Sequence, residues 1–296
     1  MAKRVFKHDI LNAALSERPP AVLYHYTDQK GLLGIVRSKE IWASHHQCLN
    51  DAQEFLHAKG LIRGEIERRL ESAAPDARSL LEAMRSTLSG AGMEEVNLYV
   101  AALSMDGDSL PQWRAYGGAA GFALGFSAGR LVLPEEFTLA RCVYEPAEQE
   151  ELAKAIVSEV EDLAAQIGAV GRRNLDMAAW AGLLGLLHNF ALIFKHEKFH
   201  EEREWRIFSR VLMDIAPALP VDGNDKLDFR LGRSMLTPYR RIPLKDNRGH
   251  MPLHEVVIGP NPNKEQSRRS VQSLLNSEGG LAHVKARNSD VPYRNW

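Results

Sequence analysis

Two long helical stretches interrupt a series of short strand-like segments, and this alternation is what most restricts the fold of the chain. Helical periodicity covers 52–93 and 146–198, where apolar residues recur every three or four positions. The clearest strand-like segments are 21–27, 97–104, 121–126 and 202–211. No repeat or linker divides the chain, so we predict a single α+β domain over 1–296. It has an N-terminal helix within 1–20, and the two helical stretches are insertions between strands.

Composition excludes several classes of protein. The chain has 45% apolar and 25% charged residues and a formal net charge of -1, so no global field attracts nucleic acid. Cys48 and Cys142 are the only cysteines, which argues against a disulfide framework and favours a reducing compartment. The most apolar run, 177–194, is interrupted by His188 and Asn189 and predicts a buried helix. We therefore expect a cytoplasmic protein with no membrane partner.

The sequence HEKFH at 196–200 contains the H-E-x-x-H pattern of zinc peptidases, in which two histidines one helical turn apart bind the metal. Here Lys198 lies between His196 and His200. Burying a lysine beside a divalent cation is electrostatically costly. We therefore expect no metal, and a zinc-dependent hydrolase remains an alternative hypothesis.

A second pattern follows immediately. Glu202, Glu204 and Arg206 alternate with Arg203, Trp205 and Ile207. This is strand periodicity, and it places the two carboxylates on one side of a sheet. Paired carboxylates suit general acid–base or electrostatic catalysis, whereas the simpler interpretation is a charged surface strand.

Near the N-terminus, the residues YHYT at 24–27 end a predicted strand, where a side chain can face a cleft beside the following helix. Asp28 is a good N-cap for a helix over 29–38, and a short strand follows at 41–44. This arrangement resembles the first motif of the diphtheria-toxin-like and poly(ADP-ribose)-polymerase-like ADP-ribosyltransferases. The resemblance implies that His25 binds the nicotinamide ribose hydroxyl and the adenylate side of NAD. Tyr26 stands where those enzymes have glycine.

The resemblance extends to two later motifs of the same enzymes. Tyr116, in QWRAYG, is the residue that would stack on nicotinamide, and Glu204 is the glutamate on a later strand. Glu202 completes the E-x-E of the arginine-modifying branch and would orient or deprotonate the acceptor. Together His25, Tyr116 and Glu204 form an H-Y-E triad in chain order, which implies NAD as the substrate.

The chemistry of NAD cleavage suits such a set of residues. Breaking the N-glycosidic bond builds positive charge on the ribose, which a nearby carboxylate stabilises. His25, Tyr26, Thr27 and Tyr116 are the candidates for holding the ribose and the ring. Asn50, Arg114 and Arg206 are further candidates for binding phosphate or carboxylate groups.

The chain also resembles an uncharacterised bacterial family whose landmarks are YxYT, LND, a Trp and Tyr before Gly, GFxLGF and ExEWR. We therefore expect an ADP-ribosyltransferase-like split β-sheet with helical insertions. The expected function is NAD-dependent ADP-ribosyl transfer or NAD hydrolysis, which would suit a toxin or defence effector. The acceptor is left open between a protein, a nucleic acid and a small molecule. The alternative from another class is a non-catalytic domain of the same fold that binds a nucleotide or nucleic acid, and Tyr26 in place of glycine favours it.

Overall fold

The computed structural model describes residues 7–49, 52–89, 97–117, 120–170, 177–209, 227–232 and 234–293. The helices are α1 (Asp9–Ser16), α2 (Gln29–Ser38), α3 (Ala52–Leu70), α4 (Pro75–Ser89), α5 (Leu110–Tyr116), α6 (Pro146–Val170), α7 (Met177–Ala191) and α8 (Lys264–Ser277). The strands are β1 (Val22–Thr27), β2 (Glu40–His45), β3 (Tyr99–Ser104), β4 (Phe122–Ser127), β5 (Phe137–Arg141), β6 (Glu204–Ser209), β7 (Leu227–Leu231), β8 (Leu236–Pro243), β9 (Leu253–Ile258) and β10 (Lys285–Asn288). Over these ranges, no helix combines the length and the apolar character needed to cross a bilayer.

Within the described residues, the ten strands form one mixed sheet, which confirms the α+β prediction. The main order is β10-β9-β4-β1-β3-β2-β8-β7, with β6 paired to β3 and to β5. The described pairings between these ten strands are antiparallel except that of β9 with β10. The sheet therefore brings together strands from both ends of the chain.

Strand β3 is the point at which the sheet divides. Strand β6 pairs with it along the whole of Val100–Ser104. Strand β1 pairs with β3 at Ser104, whereas β2 pairs with it at Val100 and Tyr99. Because a strand has only two edges, β1 and β2 share the edge of β3 that β6 does not use. They therefore separate from each other around Ala102.

Of the three apolar core clusters among the described residues, the two larger ones lie on opposite faces of the sheet. One face packs against the helices of the two insertions, and its core includes Val100 and Phe208. The other face packs against α2 and α8, and its core includes Trp205 and Ile207. Since side chains alternate along β6, Glu204 and Arg206 point to the same side as Phe208.

The second helical insertion is shorter than the prediction of 146–198. Helix α7 ends at Ala191, and the chain then makes a bridge between Val143 and Phe194 before a 3₁₀ turn over Glu197–Glu202. The bridge also fixes the backbone of Lys195, because the Lys195 N–H donates to the Val143 carbonyl at 3.0 Å. The prediction that the strand begins at Glu202 is also wrong.

Helix α2 begins as its sequence predicts. The Asp28 side chain accepts a hydrogen bond from the Gly31 N–H at 2.8 Å, which satisfies one of the unpaired donors of the first turn. Gly31 is required by close packing, because a Cβ at this position would lie 1.8 Å from Thr27 Oγ1. The start of α2 is thereby held directly over the end of β1.

Candidate functional site

A cavity of about 700 Å³ lies where β1 and β2 separate, and residues from both faces of the sheet line it. Most of the predicted site residues line this cavity: His25, Tyr26, Thr27, Tyr116, Glu202, Glu204 and Arg206. Arg114 is not among the described residues that line it, and its guanidinium carbon lies 5.2 Å from the ring centroid of Tyr293. Asn50 lies outside the described residues. The fold thus collects side chains that are far apart in sequence.

A cluster of opposite charges forms one wall of the cavity. Lys195 Nζ lies 2.6 Å from Glu204 Oε2 and 2.6 Å from Glu202 Oε2. The Arg206 Nε donates to Glu204 Oε1 at 2.7 Å, and its terminal nitrogen lies 3.2 Å from Glu204 Oε2. One ammonium therefore joins the two predicted carboxylates, although Glu202 lies in the 3₁₀ turn and only Glu204 lies on β6.

The cations keep Glu204 ionised. Burial on its own would raise the pKa of this carboxyl, but Arg206 and Lys195 outweigh it and hold the pKa below its usual value. Glu202 is less enclosed, since 23% of its side chain remains exposed. The cluster therefore presents a buried, fixed carboxylate beside a more accessible one.

Lys195 is the residue of this cluster that the sequence motifs did not single out. Its side chain is 1% exposed, and its backbone is fixed by Gln149, whose Nε2 donates to the Lys195 carbonyl at 2.8 Å and to the Val143 carbonyl at 2.7 Å. A lysine placed directly after an apolar run is a weak sign of burial. The ammonium of Lys195 reaches Glu204 on β6 because the chain turns after α7, and the sequence does not indicate this turn.

His25 lies on β1 at the gap between β1 and β2. Its Nδ1 lies 3.0 Å from the Ala102 carbonyl, which can only accept, so Nδ1 carries the proton. Burial lowers the pKa of His25 more than this hydrogen bond raises it, which favours the neutral ring at pH 7. In that form, Nε2 is an acceptor.

Tyr26 lines the cavity and also makes structural contacts. Its hydroxyl donates to the Asp106 carbonyl at 2.8 Å and accepts from the Ser109 N–H at 2.9 Å. Its ring meets Trp113 edge-on, with centroids 4.7 Å apart. These contacts fix the start of α5, and the last residue of that helix, Tyr116, is 42% exposed at the cavity.

The zinc-peptidase geometry is absent from the HEKFH sequence. Its residues form a 3₁₀ turn with His196 as the N-cap, so the two histidines are not one α-helical turn apart. His196 Nδ1 accepts from the Lys198 N–H at 3.2 Å, and His200 Nδ1 lies 3.0 Å from the Glu197 carbonyl. Over the described ranges, no three His, Cys, Asp or Glu side chains are grouped to hold a metal ion.

Comparison with known proteins finds one partial match to a family model and no activity. Residues 112–207 match the model of a family described as Protein of unknown function (DUF2971). The matched region begins in α5 and ends in β6, so it contains Tyr116, Lys195, Glu202, Glu204 and Arg206. No curated protein matches the chain. No solved structure matches it either.

Proposed function

We propose that the cavity binds NAD and that the protein is an ADP-ribosyltransferase-like enzyme, which transfers ADP-ribose to an acceptor or to water. One observation carries the proposal: His25, Tyr116, Glu202 and Glu204, which come from four separate elements, line a single cavity. The divergence of β1 and β2 around Ala102 supports it, because the cavity opens at that gap.

Each side chain has a role that its surroundings support. The ionised Glu204 stabilises positive charge on the ribose as the bond from C1′ to the nicotinamide nitrogen breaks and the nitrogen keeps the electron pair. An acceptor oxygen or nitrogen then forms the new bond to C1′, and Glu202 takes its proton. Lys195 and Arg206 hold Glu204 in place through contacts of 2.6 to 3.2 Å.

The other two side chains orient the substrate. The neutral His25 accepts a hydrogen bond from a ribose hydroxyl through Nε2, because Nδ1 is occupied by Ala102. Tyr116 offers an exposed ring on which nicotinamide stacks. Since the pKa of His25 lies below its ordinary value of 6.5, we expect no loss of NAD binding from its protonation between about pH 6.5 and 8.

The test compares nicotinamide release from NAD by the native protein, by Glu204→Gln and by Glu201→Gln. Glu201 is exposed in the same 3₁₀ turn and serves as the matched control. We expect release to fall about 100-fold or more in Glu204→Gln, because a preorganised charge facing the transition state is lost, and to be unchanged in the control. Equal release by Glu204→Gln and the native protein would contradict the proposal.

A second candidate function is nucleotide binding without catalysis. Both oxygens of Glu204 contact cations, which reduces the negative potential that the carboxylate offers to a ribose cation. The glycine expected beside His25 is replaced by the structural Tyr26. This candidate predicts that calorimetry detects NAD binding by the native protein while no nicotinamide is released with any acceptor supplied.

A further inference from the structure

The side of the cavity formed by β2 and β7 carries an aromatic and basic surface that the proposed mechanism does not use. Trp42 and Ser44 of β2 and Arg230 of β7 all line the cavity. Ser44 lies opposite Tyr239 on β8, and Tyr239 lies opposite Asp228 on β7. Because opposite residues and residues two apart share a face, the side chains of Trp42, Ser44 and Arg230 project from one face of the sheet.

Trp42 is held as a flat platform. Its ring stacks on that of Tyr239, with centroids 4.3 Å apart and planes inclined by 22°. Tyr239 is buried, whereas Trp42 remains 42% exposed. Since Tyr239 covers one face of the indole, the exposed area belongs to the other face and the edges. An aromatic face of this kind is a good surface for stacking a nucleobase.

Arg230 supplies a positive charge beside this platform. Its guanidinium donates to the Ser44 hydroxyl at 3.0 Å, which orients it but does not neutralise it. Within the described residues, no carboxylate lies within 4.0 Å of Arg230, whereas Arg241 on the same face contacts both Asp228 and Glu40. Arg230 is therefore able to form charge-assisted hydrogen bonds with a phosphate group.

We infer that this side of the cavity is a binding subsite for a nucleoside phosphate, with the base stacked on Trp42 and the phosphate bound by Arg230. The inference rests on the proposed function in so far as the nucleoside phosphate is part of NAD. It then names the residues that bind the adenosine phosphate half of NAD. The same chemistry occurs in a nucleic-acid strand, which is the other possible source of the ligand.

The test is calorimetric titration of the native protein with AMP and with adenosine, which lacks the phosphate. We expect Trp42→Ala to weaken the binding of both ligands about tenfold or more, and Trp42→Phe to weaken it less than about threefold, because a ring remains. We expect Arg230→Gln to weaken AMP binding about tenfold and to leave adenosine binding unchanged. Arg241→Gln is the matched control, and its AMP affinity should equal that of the native protein.

Two results would overturn the subsite. One is the absence of AMP binding to the native protein at millimolar concentration. The other is equal AMP affinity of the native protein, Trp42→Ala and Arg230→Gln. Titration with ADP-ribose and with an eight-nucleotide oligoadenylate identifies the source of the ligand. Tighter binding of ADP-ribose indicates a dinucleotide such as NAD, and tighter binding of the oligoadenylate indicates a nucleic-acid strand.

Nicotinamide release separates this inference from the proposed activity. If the native protein binds AMP through Trp42 and Arg230 but does not cleave NAD, the subsite is supported and the proposed activity is refuted. If the native protein cleaves NAD and the KM is unchanged in both Trp42→Ala and Arg230→Gln, the activity is supported and the subsite is refuted.

Discussion

Replacing Lys195 by methionine tests the charged cluster directly. Methionine has nearly the length and the flexibility of lysine, so packing is largely retained while the positive charge is removed. In the native protein the ammonium is 1% exposed and lies 2.6 Å from both Glu202 and Glu204. The variant therefore leaves the buried Glu204 with its contacts to Arg206 and removes from Glu202 a contact of 2.6 Å with an ammonium group.

Breaking a buried ion pair from one side costs about 3–5 kcal/mol, because the remaining charge has no compensating partner. Arg206 still contacts both oxygens of Glu204, and Glu202 retains some solvent. We therefore expect the lower end of the range, a loss of about 3 kcal/mol in the free energy of unfolding at pH 7.

The loss of stability should depend on pH in a known direction. The pKa of Glu204 in the native fold lies below its ordinary value of 4.5. Its ionic contacts therefore stabilise the fold fully above about pH 4.5, and this stabilisation disappears as the pH falls through the native pKa. Removing Lys195 takes away one of the cations that lower this pKa. The difference between native protein and variant should thus be full at pH 7 and shrink below about pH 5.

Urea unfolding followed by circular dichroism at pH 7 and at about pH 3.5 measures both effects. Lys198→Met is the control, because this lysine is exposed in the neighbouring 3₁₀ turn, and its unfolding midpoint should match that of the native protein. In the double variant Lys195→Met/Glu204→Gln, we expect less destabilisation than the sum of the single variants. A Lys195→Met protein as stable as the native one at both pH values would refute the argument.

Two further predictions concern the elements that position the site. Gly31→Ala should lower the free energy of unfolding by about 1–3 kcal/mol, since the new Cβ would overlap Thr27 Oγ1. In the same helix, a Cβ at Gly34 meets nothing within 4 Å, so Gly34→Ala should raise the free energy of unfolding by about 0.5–1 kcal/mol. Thermal or urea unfolding compares the pair, and equal effects would contradict the packing argument. Tyr144→Phe should cost about 1–3 kcal/mol, because the Glu204 N–H loses its 2.8 Å bond to the phenol oxygen. Faster hydrogen exchange at the Glu204 amide should accompany that loss, and unchanged exchange would refute it.

Local patterns predict the elements around the site well, because periodicity and capping depend on neighbouring residues. The helix α2 begins after Asp28 as its capping signal predicts. The strand β1 covers 22–27 within the predicted 21–27. The prediction fails after α7, where apolar periodicity continues beyond Ala191 although the helix ends there. A tertiary bridge to Val143 decides that boundary.

The candidate residues His25, Tyr116, Glu202 and Glu204 follow from motifs, and the fold brings them to one cavity. Arg114 shows the limit of that reasoning, since a short motif does not reveal which side of α5 faces the cavity. The role of Tyr26 was equally hidden, because its partners Asp106 and Ser109 lie about 80 residues away in the chain.

The sequence by itself determined the α+β class, the presence of long helices between strands and the position of Glu204 on β6, because each depends on a repeating pattern or a residue type within a short window. Only the tertiary structure decided that Lys195 joins Glu202 to Glu204 and that Arg230 lies beside Ser44. Such contacts arise from strand pairing and turns that bring distant or differently oriented segments together. Burial then determines which of these charges are compensated and which can bind a ligand.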